Sequence, residues 1–95
     1  MAGYGWIITK DYLADEEINR QGRMNYTSKD ICKRLIIGEG VEWQTRDDDQ
    51  NLVHEGRFIG DHMSEDGFAP LDQFSMPDAG ATEIYYRDKG VWVIW

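Results

Sequence analysis

The residues best suited to chemistry cluster between positions 47 and 66. Asp47, Asp49 and Asn51 place oxygen ligands at every second position, as the opening of a calcium loop does. The pattern then breaks. Leu52 stands where the sharp turn needs glycine, and Phe58 stands where a bidentate glutamate should close the shell. The run therefore reads as a solvated hairpin turn. His54 and His62, with Asp61, Glu65 and Asp66, are a second candidate set for a divalent ion. Their spacing follows no zinc pattern, so the expectation is one sheet-face histidine, one loop histidine and no metal.

Cys32 lies near a predicted helix start, where a thiolate is favoured. A nucleophile also needs a base, and the chain has two histidines in all. Cysteine is among the residue types most often buried, so Cys32 reads as packing. No serine elbow, phosphate loop or dinucleotide glycine motif is present. No catalytic residue and no cofactor is assigned. Carboxylate pairs are abundant, but an acidic chain offers them freely. The basic residues are less evenly spread: Arg20, Arg23, Lys29, Lys33 and Arg34 are half of the ten. They flank a helix start, whose backbone donors attract anions. The segment is either a site for a carboxylate, a phosphate or an acidic partner, or ordinary solvent-facing charge.

These residues need elements to hold them. Trp6, Ile7, Ile8 and Thr9 give residues 4–9 strand character. Residues 10–19 are charged and read as a short helix or irregular turn, and residues 20–26 as a loop. Thr27 or Ser28 caps a helix that carries Ile31, Leu35 and Ile36 on one face and stops at Gly38. Val41, Trp43 and Thr45 alternate with Glu42, Gln44 and Arg46, and residues 52–60 return as the second strand of a hairpin. The alternation there predicts Val53 and Ile59 opposite His54 and Phe58, while Gly56 marks a bulge or a close backbone approach. Pro70 starts one helical turn, and residues 77–80 form a turn. Residues 81–87 and 91–95 form a last hairpin around Asp88, Lys89 and Gly90. The expected fold is one α+β domain over residues 1–95, an antiparallel sheet of about five strands with one main helix packed on one face.

Composition supports folding and limits partners. Hydrophobic residues make up 41% of the 95 and aromatic residues 13%, enough to close a core. The net charge of −8 repels phosphate backbones and anionic membranes, so neither nucleic acid nor membrane is an expected partner. No signal-peptide pattern opens the chain and no apolar stretch reaches the roughly 20 residues of a spanning helix. With a single cysteine, a reducing cytoplasm is the expected compartment.

The last strand, Val91-Trp92-Val93-Ile94-Trp95, has no polar residue on either face. A strand with one wet face should alternate. It is either an interface between copies of the chain, or a central strand covered by the helix on one side and by Phe68 and Phe74 on the other. Tyr85, Trp92, Ile94 and Trp95 are the candidate interface residues. Trp6, Trp43, Tyr86 and Trp92 could instead line a shallow aromatic pocket, with Arg23 or Arg57 anchoring an anion.

The stretches Gly56-Arg57-Phe58-Ile59-Gly60-Asp61, Phe68-Ala69-Pro70-Leu71-Asp72 and Gly80-Ala81-Thr82-Glu83-Ile84, with Tyr86-Arg87, resemble a group of small uncharacterised bacterial proteins of the accessory genome, including mobile gene cassettes. The resemblance covers the second half of the chain. It implies a bacterial cytosolic protein and supplies no catalytic residues. The leading expectation is a non-enzymatic module that self-associates as a dimer. A small-ligand binder or minor enzyme with a shallow pocket is the second. An acidic mimic of nucleic acid that occupies a DNA-handling enzyme is the third.

Overall fold

A computed structural model describes residues 3–12 and 23–95. They form a six-stranded, fully antiparallel sheet with helical segments on its two faces. In chain order the elements are β1 (Gly5–Asp11), β2 (Met24–Tyr26), α1 (Lys29–Ile36), β3 (Val41–Arg46) and β4 (Leu52–Ile59). A helical stretch follows, made of Glu65–Phe68, Leu71–Ser75 and α2 (Met76–Ala79), and then β5 (Glu83–Asp88) and β6 (Val91–Ile94). The strands lie in the order β2-β1-β4-β3-β5-β6. Among the described residues no helix is long and apolar enough to cross a membrane.

The sixth strand is β2, which falls in the stretch expected to be a loop. It pairs Met24 with Ile7, Asn25 with Trp6 and Tyr26 with Gly5. Three residues on an exposed edge need no apolar alternation, so the ladder alone defines it. The rest of the expected helix or turn over residues 10–19 and loop over residues 20–26 lies largely outside the described residues, although Lys10 and Asp11 continue β1.

Local chemistry accounts for the other elements. The Ser28 hydroxyl caps α1 by accepting from the Ile31 N–H at 3.3 Å, and Asp30 sits in the first turn. Ile31 and Leu35 are buried, whereas Ile36, expected beside them, is 64% exposed. At i+5 from Ile31 it has rotated off the buried stripe. In the β3–β4 turn, one Asp47 carboxylate oxygen accepts from the N–H groups of Asp49 and Asn51, each at 2.9 Å. Those bonds hold the Asp47 carboxyl below its ordinary value. The residues that imitate a calcium loop thus close a hairpin. The turn expected over residues 77–80 is the last turn of the helical stretch, which Gly80 ends in the left-handed region at φ 74°.

Two cores flank the sheet. On one face Trp6, Ile8, Trp43, Phe58, Ile84 and Tyr86 pack beneath Ala69, Leu71 and Phe74 of the helical stretch. On the other, Ile7 and Ile59 pack against Ile31 and Leu35 of α1. A bulge alters the expected alternation in β4. Thr45 pairs with His54 and Arg46 with Leu52, so Val53 is the extra residue. Val53 consequently joins the same core as Phe58, while Ile59 keeps the opposite face. Gly56 marks the close approach its position suggested, since a Cβ there would lie 1.9 Å from the Ile7 carbonyl oxygen.

Candidate interaction surface

β6 is the last strand of the sheet, so its outer edge meets no neighbour within the described residues. The alternative of a covered central strand is overturned. The β5–β6 hairpin turns at Lys89 and Gly90, both with positive φ, at 50° and 83°. Pairing then runs Asp88 to Val91, Arg87 to Trp92, Tyr86 to Val93 and Tyr85 to Ile94. The Trp95 N–H extends the ladder by donating to the Ile84 carbonyl at 2.8 Å. Bonding alternates along an antiparallel pair. Val91, Val93 and Trp95 therefore bond towards β5, and Trp92 and Ile94 direct their N–H and C=O groups at the open edge.

The side chains divide by face. Val91 and Val93 follow Tyr86, on the face of the helical stretch; Val91 is 62% exposed and Val93 48%. Beside them is a hollow of about 330 Å³ lined by His62, Met63, Tyr86, Asp88, Val93, Ile94 and Trp95. The His62 ring lies against Tyr86 at 4.7 Å between centroids. The Tyr86 hydroxyl donates to the Gly67 carbonyl at 2.7 Å, and burial holds its phenol far above the ordinary range. Trp95 packs inward against Phe68, with ring centroids 6.0 Å apart, and a Cβ on Gly67 would press its indole nitrogen.

On the other face Tyr85, Trp92 and Ile94 stand together beyond the strands that α1 covers, which are β1, β2 and β4. Arg46 lies over Tyr85 at 4.1 Å and Arg87 over Trp92 at 5.7 Å. Arg87 also pairs with Glu42 at 3.0 Å. Three of the four expected interface residues thus share a face. Trp95 is the exception, because three positions along a strand reverse the side and carry it into the core.

The expected aromatic pocket is not assembled. Trp6, Trp43 and Tyr86 are core residues at 4%, 1% and 3% exposure. Trp92 lies on the opposite face. Arg23 stacks over Phe74 at 5.4 Å, whereas Arg57 approaches Gly38 at the end of α1. Trp43, Arg57 and Trp92 do border one smaller hollow, of about 200 Å³, with Thr9, Glu42, Glu55 and Gly56. Its two carboxylates outnumber its one guanidinium, which disfavours an anion. The basic segment does not converge either. Arg34 bonds Glu39 at 3.1 Å, Arg23 lies on the face opposite α1, and Arg20 is outside the described residues.

One cluster was invisible in the sequence. His54 Nδ1 lies 2.8 Å from the Ser75 hydroxyl, which lies 2.6 Å from the Thr45 hydroxyl. Asp11 stands 3.5 Å from His54 Nε2. The residue types match a hydrolytic triad, yet Ser75, His54 and Thr45 are fully buried. No substrate carbonyl can reach the serine, so the cluster satisfies polar groups inside the core. His62 makes its ring contact elsewhere, on Tyr86. Cys32 is half-buried on α1, beside Tyr26, whose phenol is raised by its bond to that thiol.

No protein-family model, no curated protein and no solved structure matches the chain.

Proposed function

We propose that this protein is a non-enzymatic interaction module that associates with copies of itself through the open edge of β6. The observation that carries the reading is an edge strand with no charged residue, on which Val91, Val93 and Ile94 are 62%, 48% and 51% exposed. Edge strands are templates for pairing, and proteins that stay monomeric blunt them with charge, proline, bulges or extreme shortness. The opposite edge, β2, is blunted by being three residues long. β6, at four residues, carries no charge, proline or bulge, although the chain has a net charge of −8 from which charge could be placed there.

Apolar side chains on both faces of β6 support a strand-to-strand contact. A partner strand laid along the edge would meet Val91 and Val93 on one side and Trp92 and Ile94 on the other. It would also satisfy the outward backbone groups of Trp92 and Ile94. Native mass spectrometry of the purified protein tests the reading. Dimeric mass in the wild type and monomeric mass in a folded Trp92→Glu variant are expected. A monomeric wild type would refute it.

A further inference from the structure

We infer that two copies pair their β6 strands antiparallel about a two-fold axis beside Val93, and that this pairing covers the hollow bordered by His62 and Met63. The inference rests on the self-association reading and specifies its geometry. Its basis is the bonding alternation of β6. Trp92 and Ile94 present their backbone groups to the edge, so a second strand must meet them as hydrogen-bonded pairs.

A two-fold axis at Val93 sets Trp92 opposite Ile94 of the second copy, and Ile94 opposite its Trp92. Both outward-bonding residues of each copy are then satisfied at once. The side chains agree with the backbone, because the two symmetric contacts are aromatic against β-branched, a favourable cross-strand pairing. On the other face Val93 meets Val93, and each Val91 lies beside Trp95. Residues 91–95 of one copy match residues 91–95 of the other along their whole length. An axis at Trp92 would set Ile94 opposite Gly90, which belongs to the hairpin turn and not to the strand. This register brings Val91 and Val93 of the second copy over the open side of the hollow of about 330 Å³, whose apolar wall is otherwise exposed. The partner is thus a second copy of this chain, and the sheet continues across both.

Single cysteines read the register. In a Cys32→Ser background, Val93→Cys places two thiols on a non-hydrogen-bonded pair, about 4.5 Å apart between Cα atoms, within disulfide range. In the same register the two residues at position 91 lie about 13 Å apart along the strands, beyond that range. Mild oxidation should therefore cross-link Val93→Cys to a covalent dimer at least tenfold faster than Val91→Cys or Ile94→Cys. If the wild type is dimeric by native mass spectrometry but Val93→Cys shows no such advantage, the register is wrong and the self-association reading survives. If the wild type is monomeric, both fail. Position 93 is half-exposed, so the substitution leaves the core untouched.

Discussion

Val93 stands directly opposite Tyr86 across the outermost ladder of the sheet, yet Tyr86 is 3% exposed and Val93 48%. One strand spacing separates the finished core from an apolar surface that nothing within the described residues covers. An exposed valine alone needs no explanation. A charge-free edge with Val91 and Ile94 also exposed is a place where another strand is stabilised by burial and by unpaired backbone groups together.

Trp92 and Trp95 should respond differently to charge. Trp92→Glu keeps the fold and weakens self-association at least about tenfold, roughly 1.4 kcal/mol. Trp95→Glu removes the packing on Phe68 and should cost about 3 kcal/mol of folding stability. Urea denaturation beside sedimentation velocity separates the two effects. Equal loss of stability in both variants would contradict the assignment of the two indoles to opposite faces.

The buried hydroxyl of Ser75 should matter for stability. Ser75→Ala leaves His54 Nδ1 and the Thr45 hydroxyl without their shared partner, at a cost of about 1–3 kcal/mol. The urea midpoint should fall with an unchanged slope. A variant as stable as the wild type would show that the cluster contributes nothing.

Stability should decline in alkali through Tyr86. Its phenol ordinarily titrates at 10.0, and burial raises it in the folded chain. The folded state therefore favours the protonated form, and that contribution is complete below the unfolded value and lost as pH rises past it. Tyr86→Phe should be less stable than the wild type near neutrality by about 1 kcal/mol, for the lost bond to Gly67. The gap should narrow above pH ~10. A gap independent of pH would contradict the burial of this hydroxyl in solution.

Asp47 gives the opposite sign at acid pH. Turn bonds lower its carboxyl from 3.8 in the folded state, so its contribution is present above that value and lost as pH falls through the lowered one. Asp47→Ala should lower the melting temperature modestly at neutral pH and converge on the wild type in strong acid. A constant difference would mean that the turn does not depend on the carboxylate.

Much of this arrangement was legible because local chemistry decides it. The alternation of Val41, Trp43 and Thr45, the Ser28 cap and the Asp88-Lys89-Gly90 turn each specify an element within a few residues. The apolar run of β6 announced an unusual strand for the same reason. What escaped depends on distant partners. β2 is a strand because β1 runs beside it, and Val53 turns inward because a bulge displaces it. Ser75 meets His54 and Thr45 only after the helical stretch has folded over the sheet. The aromatic pocket failed on an ambiguity of composition, since Trp6, Trp43 and Tyr86 suit a core as well as a ligand, and a small domain uses them for its core.

Native mass spectrometry of the wild-type protein over a range of concentrations, with Trp92→Glu measured alongside, tests pairing through β6. A wild-type species at twice the 11.1 kDa chain mass and a folded Trp92→Glu monomer are expected. A wild type that stays monomeric throughout, or a Trp92→Glu dimer as persistent as the wild type, would contradict the assignment of β6 as the interface.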